Sequence, residues 1–206
     1  MAKKELPMSQ NSDLSRLLLR QKKIRVAGFD DAAWNRRENP QAALCGIICA
    51  NTRFEGMLWG SLTIDGLDAT ERIATLLMES KFRPQVHMVL LDGITFGGMN
   101  VVDLPELHRL TGMPCVAVMR RQPDLQRFAD VVKMVGDPDG ERTRRRIAAG
   151  TIHEIGGFFF QVQGAEPEDV ATALGMLTDQ GKVPEALRLA HLIGSAVVTG
   201  QSGKRA

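Results

Sequence analysis

The sequence predicts an α/β fold built on a mixed sheet of five main strands, the first three antiparallel and the later two parallel, flanked by helices. Two observations lead there. Three apolar runs, 24–31, 42–51 and 53–64, follow one another with short connections. A parallel crossover needs about a dozen residues or more, so these runs must meander. After them the pattern changes to alternating units, with a strand at 86–92, a helix at 103–110 and a strand at 114–119. In such a layout the first strand lies beside the fourth.

Each element has a local reason. Residues 1–12 are polar, and 13–23 carry Leu14, Leu17, Leu18 and Leu19 at helical spacing among basic residues. The run 24–31 is apolar and ends on Asp30 and Asp31. Residues 35–40 form a polar turn before the second strand, and Phe54, Met57, Trp59 and Leu62 mark the third. Asp68 heads a helix over 69–81 with its apolar stripe at Ile73, Leu76, Leu77 and Met78, and Glu71 three residues on suggests a capping box. Pro84 ends that helix, and the run 86–92 ends on Asp92 and Gly93. Pro105 and Gly112 bracket the next helix, and Pro114 opens a strand that closes on Arg120 and Arg121. A helix follows Pro123 with Leu125, Phe128, Val131 and Val132 as its stripe, and an arginine-rich helix follows at 141–149. The remaining elements are a late strand at 158–162 and helices at 166–178 and 184–198.

Composition narrows the class. Hydrophobic residues make up 44% of the 206, enough for a sizeable core. The net charge of +2 is too small to argue for a polyanionic partner, but the arginines are clustered. Cys45, Cys49 and Cys115 lie in apolar runs, and the first two are too far apart along an extended strand to bridge. Buried free thiols suit a reducing compartment. With no apolar run of about 18 residues and no apolar signal core, a cytoplasmic protein without a membrane partner is expected.

The chemistry concentrates on carboxylates. Asp30 and Asp92 each close a buried strand, and in an open α/β sheet such positions line the ligand crevice. Two neighbouring carboxylates repel unless a cation or a shared proton lies between them, and oxygen donors suit Mg²⁺ or Mn²⁺. Asp31 points to the opposite face of a regular strand and helps only if the strand has already ended. Asp68 and Glu71 compete for the place of a third acid, against the plain alternative of a helix cap, and Asp65 is a further option. His191 lies on the apolar last helix with Arg188 one turn before it, a polar spot on one face. Arg120, Arg121 and the run Arg142 to Arg146 read either as solvated surface or as a phosphate-binding rim around the acidic centre. No CxxC, HExxH or GxSxG motif is present, so zinc and serine hydrolysis are unsupported.

Val26-Ala-Gly-Phe-Asp-Asp31, Leu90-Leu-Asp-Gly93, Val116-Ala-Val-Met-Arg120 and Pro184-Glu-Ala-Leu-Arg-Leu-Ala-His191 occur in the order seen in endonuclease V. Ile64-Asp-Gly-Leu-Asp-Ala-Thr70 and the stretch from Leu91 to Asp103 resemble signatures of its relatives called endonuclease dU. The resemblance implies a ribonuclease H-like fold over 24–200, between a tail with a short helix at 1–23 and a basic tail at 201–206. It implies a Mg²⁺- or Mn²⁺-dependent endonuclease acting on DNA with deaminated bases, uracil or hypoxanthine. By the same resemblance Asp30 and Asp92 are metal ligands, Asp68 or Glu71 is the third acid and His191 lines the catalytic centre. Arg120 stands at a phosphate-contacting position, with Arg121 and Arg188 as further substrate contacts. The tyrosine that endonuclease V inserts beside a lesion is absent, for the chain has no tyrosine, and Trp59 and Phe96 are the aromatic substitutes on offer.

Two other readings fit the same residues. A receiver-like phospho-switch also uses an acidic pair and a later aspartate, but it alternates strand and helix from the start, and 32–50 holds no helix. A ribonuclease H-like module that binds nucleic acid without cutting it would keep the same acids.

Overall fold

The computed structural model describes residues 13–203; the polar first twelve residues and the last three of the basic tail lie outside them. Seven strands form one sheet in the order Arg53–Thr63, Gln41–Ala50, Arg25–Asp31, Met88–Asp92, Cys115–Met119, Phe158–Gln163, His153–Ile155. Strands β1 (Arg25–Asp31), β2 (Gln41–Ala50) and β3 (Arg53–Thr63) meander as the short connections require. Strand β4 (Met88–Asp92) then joins β1 in parallel, and β7 (Cys115–Met119) joins β4 in parallel. A two-stranded hairpin, β5 (Thr95–Phe96) with β6 (Asn100–Val101), sits between β4 and β7 in the chain, outside the main sheet.

The sheet runs two strands further than the five expected. The late strand, β9 (Phe158–Gln163), lies antiparallel on β7, and a three-residue strand, β8 (His153–Ile155), pairs with it. His153 therefore lies on an edge strand.

Helices cover both faces. On one face α2 (Ala69–Met78) and α3 (Leu104–Thr111) bury Ile73, Leu77, Leu104 and Leu107 against Ala27, Phe29, Val89 and Leu91. On the other face α1 (Asp13–Leu19), α6 (Pro167–Met176) and α7 (Glu185–Thr199) cover Val26, Met88, Leu90 and Val116. The helices α4 (Leu125–Val135) and α5 (Glu141–Ala148) lie between β7 and β8 in the chain. Helix α2 ends before the residue-81 limit expected, and a short 3-10 turn over Arg83–Gln85 carries the chain into β4. Cys45, Cys49 and Cys115 are buried free thiols, and burial pushes each up to about 12.

The strand period fixes which face each acid takes. Val26 packs on the α7 face and Ala27 and Phe29 on the other, so Asp30 follows Val26. Met88 and Leu90 likewise set Asp92 on the α7 face. The register pairs Phe29 with Leu91, which brings Asp30 and Asp92 level at the strand tips.

Candidate active site

Helix α7 completes the acidic pair. Gly28 makes the contact possible: a Cβ there would come 2.8 Å from Ala186 Cβ and 2.9 Å from that residue's backbone carbon. The helix therefore lies directly on β1, with Ala186, Ala190 and Gly194 turned inward. Two strand residues from Gly28 to Asp30 advance about 6.6 Å, and five helical residues from Ala186 to His191 advance about 7.5 Å. The match sets His191 over Asp30, and His191 Nδ1 lies 3.0 Å from Asp30 Oδ2.

Asp30, Asp92 and His191 each offer a ligand atom, all within 4.8 Å of one another. Asp30 is only 7% exposed. Its carboxyl is pushed up to about 8, first by burial and then by the negative charges of Asp92 and Asp31. Arg120, just beyond the end of β7, reaches Asp92 Oδ2 at 2.9 Å and supplies the opposing positive charge. The cleft around them has a volume of about 370 Å³ and is also lined by Asp31, Trp34 and Ser195.

Asp31 belongs to the mouth of this cleft. Strand β1 runs on through it, so its carboxylate takes the other face, where it accepts from the Trp34 indole at 3.1 Å and from the Gly97 backbone N–H. Burial raises its pKa above the ordinary aspartate value.

Asp68 and Glu71 are not brought to the cluster. Asp68 accepts from Asn100 Nδ2 at 2.6 Å, from Thr63 N and Oγ1 at 3.1 and 3.0 Å and from Arg72 Nε at 3.2 Å. These bonds outweigh its partial burial and hold its carboxyl below the ordinary range. They also replace the capping box that the sequence suggested, for the Asp68 side chain makes no cap bond to α2. Glu71 is exposed and lines, with Asp68, a separate cleft along β3 and α2. Asp65 accepts from Met99 N at 2.8 Å and pairs with Arg36.

The arginines divide. Arg142, 8% exposed, donates to the carbonyls of Met99 at 2.9 Å, Gly136 at 3.1 Å and Asp65. Arg145 donates to the carbonyls of Leu67 and Val101 at 2.9 and 3.0 Å, and Arg144 pairs with Glu141. Part of the expected phosphate rim is thus a clamp that satisfies loop carbonyls. Arg188 turns both of its bonding nitrogens to Glu185, at 2.8 and 2.6 Å. Arg121 lines a neighbouring cleft beside Gly93.

Of the aromatic substitutes named from sequence, Phe96 is fully buried and Trp59 lies on β3 opposite Cys45. The aromatic ring in the acidic cleft is Trp34, 37% exposed and anchored by its indole N–H. The signal for it was its place three residues after the acidic pair; Ser195, one helical turn after His191, was legible in the same way.

An acidic cluster at the tips of β1 and β4, covered by α7 on a sheet of this order, is the arrangement of a ribonuclease H-like fold. Solved endonucleases V share the fold. The Streptomyces avermitilis enzyme superposes with a TM-score of 0.56 at 15% identity, over 86% of this chain and 82% of that one. The Ciona intestinalis enzyme, solved with DNA containing an inosine, superposes with a TM-score of 0.54 at 15% identity, over 82% and 84%.

The chain belongs to the Endonuclease dU family, whose sequence model matches residues 22–198. A UPF0215 protein from Archaeoglobus fulgidus is 35% identical over 187 residues, covering 90% of this chain and 99% of that protein. A crystal structure of a protein of unknown function from the same organism superposes with a TM-score of 0.80 at 34% identity, over 86% of this chain and all of that one, 100%. The receiver-like alternative is set aside by this fold.

Proposed function

We infer that the protein is a divalent-metal-dependent endonuclease that hydrolyses phosphodiester bonds in DNA bearing deaminated bases. The observation that carries this is the convergence of Asp30, Asp92 and His191 at parallel strand tips with Arg120 beside them. The donor set fits Mg²⁺ or Mn²⁺: carboxylate oxygens are their preferred ligands, and burial, with the charges of Asp92 and Asp31 added, disfavours an ionised Asp30 that has no cation beside it. Asp30 and Asp92 would hold the ion. When bound, it would supply water activation and charge stabilisation at the scissile phosphate.

The chain's own residues do the rest. In hydrolysis a water forms a new bond to phosphorus, and the ester oxygen leaves and takes up a proton. With an ion bound Asp30 would be ionised, and it would then accept from His191 Nδ1–H and leave the ring's other nitrogen as a proton acceptor. Arg120 places a guanidinium where a phosphate enters, and the buried walls of β1 and β4 keep the acids fixed. Trp34 offers an aromatic edge at the mouth.

Labelled oligonucleotides carrying uracil, hypoxanthine or neither, incubated with and without Mn²⁺, test the reading. Metal-dependent cuts confined to the deaminated substrates support it. Binding without cleavage under every metal condition favours the inactive nucleic-acid-binding module instead.

A further inference from the structure

A second cleft, of about 830 Å³, opens next to the acidic one, for Gly93 and Arg121 on its wall directly follow Asp92 and Arg120. That volume lies within the roughly 300–1,000 Å³ of small-molecule sites. Its lining is mixed: apolar side chains, Phe128 and Ile152 among them, stand beside Thr95, Gln122 and the acidic Asp124, and its basic residues are Arg121, Arg127 and Arg146. The Arg146 guanidinium lies 5.9 Å from the Phe128 ring centre. One polar side chain in this wall stands apart. Gln161, on β9, is 4% exposed among apolar neighbours.

The hydrogen bonds of Gln161 fix its polarity. Its Nε2 donates to the Gly150 carbonyl at 2.8 Å, and a carbonyl can only accept, so the amide cannot be turned round. Among the described residues no group donates to its Oε1, yet no fully buried side-chain polar atom is left without a partner. The oxygen therefore keeps access to open space, and the cleft that the residue lines is where that space lies.

A buried acceptor that no protein group satisfies selects a donor. Deamination changes this very property of a base: the ring nitrogen on the pairing edge is a bare acceptor in cytosine and adenine and becomes an N–H in uracil and hypoxanthine. We propose that this cleft receives an everted nucleobase and that Gln161 Oε1 reads deamination by accepting from the ring N–H of its pairing edge. The proposal rests on the nuclease reading and adds to it the residue that sets base preference. Thymine and guanine carry the same N–H, but in correct pairs they are held in the stack. A deaminated base sits in a mismatch and everts at lower cost. The arginines would hold the flanking phosphates.

The test is a binding ranking, in EDTA, of single-stranded oligonucleotides made of adenine and cytosine with one uracil, one N3-methyluracil or no substitution. In that background only the uracil offers a ring N–H. The full-length protein should bind the uracil oligonucleotide on the order of 10- to 100-fold more tightly than the other two, the effect of leaving one buried partner unpaired. Gln161→Met should flatten the ranking while keeping the salt dependence of binding. Equal affinity of the wild type for uracil and N3-methyluracil, or no preference among the three, overturns the proposal. The wild-type comparison decides even if the variant fails to fold. Failure to cut any oligonucleotide with Mn²⁺ would instead sink the nuclease reading and leave this ranking to stand or fall by itself.

Discussion

Replacing Asp30 by asparagine is expected to stabilise the metal-free protein while removing its ion binding, and pH separates the two effects. Burial and the charges of Asp92 and Asp31 move the Asp30 carboxyl from 3.8 to about 8. The unfolded chain releases this proton near the lower value and the folded protein keeps it until the upper one. Between them the folded state binds more protons, so stability falls as pH rises through that window and levels off above it. A shift of roughly four units sets a ceiling of about 6 kcal/mol. Relaxation and water entry around a cleft-side group reduce that, and about 2–3 kcal/mol is the working figure. Asparagine has no proton to lose. Thermal melts in EDTA should therefore show Asp30→Asn level with wild type near pH 4, and about 5–10 °C above it near pH 9 for a chain of this length. Adding Mg²⁺ should raise the wild type alone. A gap that does not change with pH, or a variant less stable at every pH, would refute the reasoning.

Arg120→Ala should weaken DNA binding and lower the slope of log affinity against log salt by about one; titration of binding against salt checks it, and an unchanged slope removes Arg120 from the phosphate contacts. Arg142→Met strips several loop carbonyls of their donor and should cost about 2–4 kcal/mol by urea unfolding. The exposed Arg144→Met change should cost less than about 1 kcal/mol. Asp68→Asn should lower stability by about 1–3 kcal/mol, because Thr63 and Arg72 lose a charged acceptor. Its Mn²⁺ affinity by calorimetry should match wild type; a tenfold loss would make Asp68 a ligand after all.

Much of the fold was legible because its signals are local. Short connections forced β1, β2 and β3 to meander, and the strand period placed Asp30 and Asp92 on one face once they were neighbours. The partners of β9 were not legible, since an antiparallel pairing with β7 across more than thirty intervening residues leaves no mark in either strand. The arginine run misled for a related reason: charge is visible in sequence, but the loop carbonyls that Arg142 and Arg145 bind come from distant segments. Asp68 was read as a helix cap or as the third acid, and its carboxylate instead takes the amide of Asn100, thirty-two residues away. Gln161 did leave a signal, a lone polar side chain in the apolar run 158–162, which gained meaning only with the cleft beside it.

Calorimetric titration of Mn²⁺ into wild-type protein, Asp30→Ala and Asp92→Ala tests the shared ion site most directly. Saturable binding by the wild type, lost in both variants, is the expected result. Equal affinity in all three proteins would contradict the account.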